Sequence, residues 1–260
     1  MRLFRSLSRN TPIAVRLALA IAMPGIATLV LALMVMSSHW DTAARMAHLR
    51  DAVGVDMMVG ELVHTLQTER GLTAVYLGGS EAMPGDELQR QRATSLERAA
   101  AVSQAAAGLD RRGALAPALA QLDGTMAGLQ AVFRKRGEID ARQVTGAQST
   151  RLYTDAINAL LAFPAQLAKE ADDPDLTGRM IAYGAFLAAK ERAGRERAAG
   201  AVGFQAGRFS LDQYRAFTEA SSEQRAYLDT FTAYAPATEK ALATRTLSGI
   251  EAARADALRQ

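Results

Sequence analysis

Two neighbouring charged residues, Glu69 and Arg70, interrupt an otherwise apolar helical pattern in LVHTLQTERGLTAVYLGG, residues 62–79. With Leu62 at zero on a helical wheel, Glu69 falls near the centre of the apolar arc, at about −20°, and Arg70 on its flank, at about 80°. A buried charge is unfavourable unless it is paired or meets a ligand of opposite charge. The pattern therefore predicts either a structural network of ion pairs or an arginine held in place for an anion.

The two interpretations differ in what surrounds Arg70. A structural pair leaves the site electrically neutral. A ligand site leaves at least one arginine without a neighbouring acid, beside a pocket. The guanidinium group has a planar fork of donors that matches a planar oxyanion, so the second interpretation has a definite chemistry. The helical wheel by itself favours the structural network.

A second stretch, AKERAGRERAAGAVGFQAGRF at residues 189–209, repeats several of these features. Its ERAAGAVGFQAG echoes ERGLTAVYLGG in the Glu-Arg pair, the Ala-Val pair, the aromatic residue and the closing glycine. On a wheel with Leu187 at zero, Glu191 falls inside the apolar arc and Arg197 on its edge, at about −80°. Each half of the chain therefore carries an arginine beside a predicted core. Glu69 and Glu191 are the acids that we expect to form supporting ion pairs.

These two stretches resemble the two signatures of the nitrate- and nitrite-sensing (NIT) domain, in the same order and at a similar separation. The resemblance covers roughly residues 50–260. It implies an all-helical domain of two packed four-helix bundles, as in the sensor regions of chemoreceptors, sensor kinases and a transcription antiterminator. It also implies that nitrate or nitrite binds between helices through Arg70 and Arg197. The tail ARADALRQ resembles the closing helix of the domain, which implies a third contact from Arg254.

An apolar run, LALAIAMPGIATLVLALMVM at residues 17–36, contains 20 residues and no charge. That length suits one helical crossing of a bilayer, whereas a cleaved signal peptide usually has an apolar core of about 7–15 residues. We therefore expect a cytoplasmic basic tip at 1–12, a transmembrane helix at 13–36 and an extracytoplasmic sensor domain at 41–260. Four arginines and no acid before residue 37 favour a cytoplasmic N-terminus. The expected location is the inner membrane, single-pass, with the sensor domain periplasmic or extracellular.

Charge and composition argue against several classes of function. Removing the four positive charges of residues 1–36 from the formal +3 leaves −1, so no basic body is available for nucleic acid and we expect no such partner. The chain has no cysteine and three scattered histidines, which disfavours thiol catalysis and metal binding. No nucleophile, base and oxyanion-stabilising group come together. The prediction is a non-enzyme without metal or cofactor.

The secondary structure expected around these residues is entirely helical. Apolar residues recur at three- and four-residue steps, and glycine and proline mark the turns between them. Long helices with short turns favour antiparallel bundles. We place N-caps at Ser210 and at Asp175 or Thr177, and read RKRG at 134–137 as a solvent-exposed turn. The predicted helices cover 41–79, 86–108, 115–136, 147–171, 178–207, 211–235 and a last segment after Pro236.

The function expected from the sequence is that of a membrane-anchored extracytoplasmic sensor in signal transduction or chemotaxis. An oxyanion between the helices would draw Arg70 and Arg197 together and shift helices by about 1–2 Å. The alternative is a ligand-free structural or interaction bundle that pairs with another membrane protein. The expected partners are nitrate or nitrite, the membrane, and a second copy of the chain or a receptor.

Overall fold

The computed structural model describes residues 12–79, 84–111, 113–171, 173–205 and 207–249. Every regular element in these ranges is a helix, as the sequence predicted. In chain order the helices are α1 (Ile13–Gly78), α2 (Asp86–Ala107), α3 (Ala116–Arg134), α4 (Arg136–Asp140), α5 (Gly146–Leu161), α6 (Phe163–Lys169), α7 (Pro174–Gln205), α8 (Leu211–Tyr234) and α9 (Ala237–Leu247).

The chain divides into two compact units, Met1–His48 and Leu49–Gln260, and α1 contributes residues to both. In the first unit, the large apolar side chains that the structure describes between Ile13 and Trp40 are exposed, with Ile21 at 71% and Leu29 at 60%. The second unit contains the buried cores. Everything that positions Glu69 and Arg70 belongs to this second unit.

The predicted transmembrane helix at 13–36 is wrong. A helical crossing needs about 20 consecutive apolar residues. Within the described ranges, no helix offers a stretch that is both long and apolar enough to cross a membrane. The predicted single-pass location in the inner membrane, with a periplasmic or extracellular sensor domain, is wrong for the same reason.

The core of the second unit is divided unequally. The larger cluster contains residues from each of the helices α1 through α6 and from the beginning of α7. The smaller cluster packs α7 against α8 and contains Ala182, Ala185, Phe231 and Ala235. The described residues thus show one large and one small core where two packed four-helix bundles were expected. The largest fully buried aliphatic side chains of the larger cluster are Leu62, Leu66, Leu119, Leu122, Leu129, Ile139, Ile157, Leu160 and Leu167.

One predicted helix, 147–171, is two helices in the structure, α5 and α6. Pro164 lies in the first turn of α6. A proline has no backbone N–H and its ring clashes with the preceding turn, so it begins a new helix more readily than it continues an old one. The start of α5 is fixed by a capping box, in which Thr145 and Gln148 each bond the backbone N–H of the other.

Capping side chains also fix where α7 and α8 begin. Ser210 caps α8 as predicted, in a capping box with Gln213. At α7 the cap is Asp173, which precedes both expected caps, Asp175 and Thr177. Its Oδ1 accepts from the backbone N–H of Asp175 at 2.8 Å. The Asp173 cap fixes the start of α7, the helix that carries Glu191 and Arg197.

Helix α1 approaches α7 closely at Gly60. The Tyr183 hydroxyl of α7 lies where a β-carbon at residue 60 would stand, so only glycine leaves room for it. The same two helices carry Arg70 and Glu191. Glu69 and Arg70 lie two to three turns further along α1.

Candidate functional site

Glu69 is fully buried and its carboxylate is fully paired. Arg136 of α4 donates from Nε to Oε1 and from Nη2 to Oε2, both at 2.8 Å, and the Tyr153 hydroxyl of α5 donates to Oε1 at 2.7 Å. Burial and the neighbouring Glu69 charge raise the pKa of Tyr153, which keeps its hydroxyl protonated and donating. The Arg136 guanidinium also stacks over the Phe133 ring, 4.2 Å from its centroid. This network ties α1 to α4 and α5.

Arg70 points to a different neighbour, Glu191 of α7. Its Nη1 donates to Oε1 at 2.6 Å and its Nη2 to Oε2 at 3.0 Å. Nη1 also donates to the Thr154 hydroxyl of α5 at 2.8 Å. The amide of Gln67 donates to Oε2 of Glu191 at 2.9 Å. Glu191 is 0% exposed and Arg70 9% exposed, so this pair is also largely shielded from water.

One edge of the Arg70 guanidinium remains unbound. The group has five N–H donors in a rigid fork, and three of them serve Glu191 and Thr154. The Nε–H and the second N–H of Nη2, which point from the same edge, make no hydrogen bond to any described residue. Gly194 lies beside this edge, since a β-carbon there would be 3.7 Å from Nη2. Two parallel donors at a small residue suit a planar oxyanion.

The structure does not bring Arg197 into contact with Arg70. Arg197 is exposed on α7 and makes no hydrogen bond or ion pair with the described part of the chain. It follows Gly194 by three residues, about 4.5 Å along the helix axis, so it carries a free positive charge on the helix that faces Arg70. Arg254 lies outside the described residues.

A further pair of basic groups is formed by His64, which lies within two turns of Arg70 on α1, and Lys190, which precedes Glu191 on α7. The Lys190 ammonium is 3.2 Å from Nδ1 of His64. Burial lowers the pKa of Lys190, and burial together with the Lys190 charge lowers the pKa of His64. Lys190 and Arg197 are thus two exposed cations on α7, the helix that carries Glu191.

Sequence reasoning missed Arg136, which it placed in a solvent-exposed turn. The structure buries Arg136 to 9% exposure as the partner of Glu69. A signal was present, because the apolar residues Phe133 and Ile139 flank it at three-residue spacing and both are buried. In the described ranges, no group of three or more acidic or histidine side chains could hold a metal ion.

Comparison with known proteins points to one family. The model of the family described as nitrate and nitrite sensing (NIT) matches residues 61–260, which include Glu69, Arg70, Glu191 and Arg197. The match covers more than half of the chain.

Two relatives can be compared in detail. The nitrate regulatory protein of Klebsiella oxytoca is 32% identical over 190 residues, which are 71% of this chain and 46% of that protein. The structure of the NasR transcription antiterminator matches with a TM-score of 0.69 and 27% identity, over 80% of this chain and 56% of that one. The chain thus spans about half the length of these relatives.

The names of the two relatives bear on the partners predicted from the sequence. A similarity to a transcription antiterminator conflicts with the prediction that no nucleic acid is involved. Neither relative supports the predicted membrane anchor or the predicted role in chemotaxis.

Proposed function

The chain belongs to the nitrate and nitrite sensing family, and we propose that it is a non-catalytic sensor domain that binds nitrate or nitrite at the unbound edge of Arg70. The similarity to a nitrate regulatory protein supports the class of ligand. The geometry around Arg70 supports the location of the proposed binding site.

The observation that carries the proposal is the half-occupied guanidinium of Arg70. It is 9% exposed, held at one edge by Glu191 and Thr154, and has two free N–H donors at the other edge beside Gly194. A planar anion at that edge would accept two parallel charge-assisted hydrogen bonds. Because Glu191 fixes the guanidinium in place, no side-chain ordering is needed when the anion binds.

The charge around the site supports an anion over a neutral ligand. Glu191 neutralises Arg70, so the net attraction must come from Arg197 and Lys190 on α7. Arg197 has no acidic partner in the described ranges, and Lys190 has none either. These exposed cations raise the local concentration of anions, an effect that falls with ionic strength.

The signalling step that we propose is a change in the contact between α1 and α7. Arg70 belongs to α1, and Gly194 and Arg197 belong to α7. An anion that contacts both helices stabilises the arrangement in which they lie closest, and it shifts the population by its differential affinity for that arrangement. Because the relatives are longer than this chain, we infer that the shift is passed to a further region, as part of a regulatory protein.

The alternative is a structural bundle without a ligand. It is favoured by one observation: Arg70 has an acid, Glu191, at 2.6 Å. In that case the unbound edge of Arg70 has no role, and replacing Arg70 affects stability alone. The predicted pairing of two copies of the chain stays a prediction under either function.

The test is calorimetric titration of the full chain with nitrate and with nitrite at low chloride. Wild type is compared with Arg70→Gln, Arg197→Gln and the control Arg179→Gln, which removes the same charge from α7 at an exposed position. We expect saturable binding that both Arg70→Gln and Arg197→Gln weaken and the control preserves. Absence of binding in wild type, with Arg70→Gln only less stable, would establish the structural alternative.

A further inference from the structure

A cavity of about 480 Å³ lies between α5, α6, α7 and α8. Its volume is in the range of pockets that hold small organic molecules, about 300–1,000 Å³. Most of its wall is apolar and is formed by Leu161, Ala165, Met180, Ile181 and Ala188. None of the residues that surround Arg70 lines it, so it is separate from the proposed nitrate site.

The polar part of the wall offers mainly hydrogen-bond donors. Arg192 of α7 donates from Nη1 to Oδ1 of Asn158 at 3.1 Å, while its Nη2 makes no hydrogen bond to a described residue. Since the amide oxygen of Asn158 is used in this way, its two N–H donors remain. The Thr230 hydroxyl donates to the carbonyl of Ala226. Free guanidinium and amide N–H groups at one wall are suited to an acceptor with negative charge.

The charge balance beside the cavity is also positive. Arg192 and Arg195 share a single carboxylate, Glu223 of α8, with N–O distances of 2.5 and 3.7 Å. The Arg192 contact lacks hydrogen-bond geometry, since its Nε and Oε2 of Glu223 are both without a hydrogen-bond partner in the described structure. Two guanidinium groups with one carboxylate leave one positive charge in excess. Arg192 is 12% exposed, so this charge is partly shielded from water.

We propose that this cavity binds a small amphipathic carboxylate, with its carboxylate at Arg192 and Asn158 and its apolar body against Leu161, Met180 and Ile181. A carboxylate matches the planar guanidinium fork. Tyr227 also lines the cavity, with its ring centroid 5.6 Å from the Arg192 guanidinium carbon.

Nitrate does not suit this cavity, because a small hydrophilic ion leaves the apolar wall uncovered and gains no apolar burial to offset the hydration that it loses. The driving force here is burial of the apolar body, and the arginine selects the charged head. The site therefore adds a second class of ligand to the domain.

The experiment is calorimetric titration of the full chain with benzoate, hexanoate and octanoate, and with hexanamide as the neutral counterpart. The variants are Arg192→Gln, which removes the charged donor, and Ala165→Phe, which fills the cavity from an exposed position on its wall. Arg179→Gln is the matched control, since it removes an arginine from α7 at an exposed position that does not line the cavity.

We expect saturable binding of at least one carboxylate and no binding of hexanamide. Arg192→Gln should weaken that binding about ten- to a hundredfold, Ala165→Phe should abolish it, and Arg179→Gln should preserve it. Absence of saturable binding by all three carboxylates at millimolar concentration would overturn the proposal. So would binding that survives both Arg192→Gln and Ala165→Phe, because the ligand would then lie elsewhere.

Discussion

Glu69 and Arg70 are adjacent in sequence, but their side chains differ in how completely they are hydrogen-bonded. The Glu69 carboxylate receives three hydrogen bonds from Arg136 and Tyr153, at 2.7–2.8 Å, and is 0% exposed. The Arg70 guanidinium uses three of its five donors, on Glu191 and Thr154, and keeps one edge unbound. The first network is closed, which is what a structural ion pair requires. The second is half open, which is what a ligand site requires.

A third buried charge on the same helix extends the comparison. Asp56 is 2% exposed, makes no hydrogen bond or ion pair within the described ranges, and its Oδ1 is buried without a partner. Along α1 the order is therefore an unpartnered acid, a fully paired acid and a half-occupied arginine. Each arrangement has a different consequence for stability or binding, and each is separately testable.

The largest effect is expected from breaking the closed network. Glu69→Ala leaves Arg136 buried without its acid, which should lower the free energy of unfolding by about 3–5 kcal/mol. Urea denaturation measures this. The control is Glu138→Ala, whose pair with Lys135 is about half exposed and should contribute less than about 1 kcal/mol. Equal effects of the two variants would contradict a closed, buried network at Glu69.

The next largest effect is expected from Asp56, which should make the free energy of unfolding depend on pH. Burial raises the pKa of this carboxyl from 3.8 to about 7. The folded state then holds a proton that the unfolded state releases at lower pH, so the Asp56 contribution to stability falls between about pH 4 and 7 and is constant above. The nearby Tyr183 has its pKa raised to about 12, by burial first and then by the charges of Asp56 and Glu61.

Asp56→Asn should remove this dependence and stabilise the protein at pH 8 by about 2–4 kcal/mol. Urea denaturation of both proteins from pH 4 to 8 measures the difference. Asp51→Asn, an exposed site on the same helix, is the control for the change of charge. If the free energy of unfolding changes with pH in the same way for wild type and Asp56→Asn, Asp56 is not the source of the pH dependence.

Changing the shape of the cation at residue 70 tests the half-open site. Arg70→Lys keeps the charge but replaces the two parallel donors by a single ammonium. Nitrate affinity should fall about ten- to a hundredfold, equivalent to about 1.5–3 kcal/mol. Titration calorimetry measures the affinity, and urea denaturation checks that the variant is folded. Unchanged affinity would mean that nitrate binding depends only on the positive charge at residue 70 and not on its two parallel donors.

The smallest effect concerns the acid that holds Arg70. Glu191→Gln removes a negative charge next to the site and keeps a side chain that accepts from Arg70. Nitrate binding should become tighter by a few-fold, about 0.5–1 kcal/mol, because reduced repulsion outweighs the weaker hold on the guanidinium. Calorimetry at low ionic strength shows the change most clearly. Weaker binding would show that Glu191 acts mainly by positioning Arg70.

How much of this arrangement the sequence predicts depends on how far apart the interacting residues are along the chain. Helical periodicity places Glu69 and Glu191 inside apolar arcs and Arg70 on a flank, and the structure buries all three. The same pattern predicts the helices and the cap at Ser210. These features are local, so the order of nearby residues determines them.

The partners of these charges are not local. Arg136 and Tyr153 are 67 and 84 residues from Glu69 in sequence, and Glu191 is 121 residues from Arg70. Periodicity says that a charge is buried, but not which charge meets it. Residue type was misleading at Arg136, because a basic residue next to a glycine is usually solvent-exposed. The apolar run at 17–36 was likewise a composition signal that the described structure does not support as a membrane crossing.

The most direct test of the account compares the two arginines within one sample. Nitrate is titrated into the ¹⁵N-labelled full chain, and the arginine Nε–H signals are followed by NMR, with Arg70→Lys and Arg136→Lys used to assign them. The Arg136 Nε–H is bound to Glu69 at 2.8 Å, whereas the Arg70 Nε–H makes no hydrogen bond with the part of the chain that the structure describes. We predict that the Arg70 signal shifts saturably and the Arg136 signal does not move. Calorimetry on the same sample establishes whether nitrate binds. If nitrate binds and the Arg70 signal does not shift, the proposed site at Arg70 is contradicted.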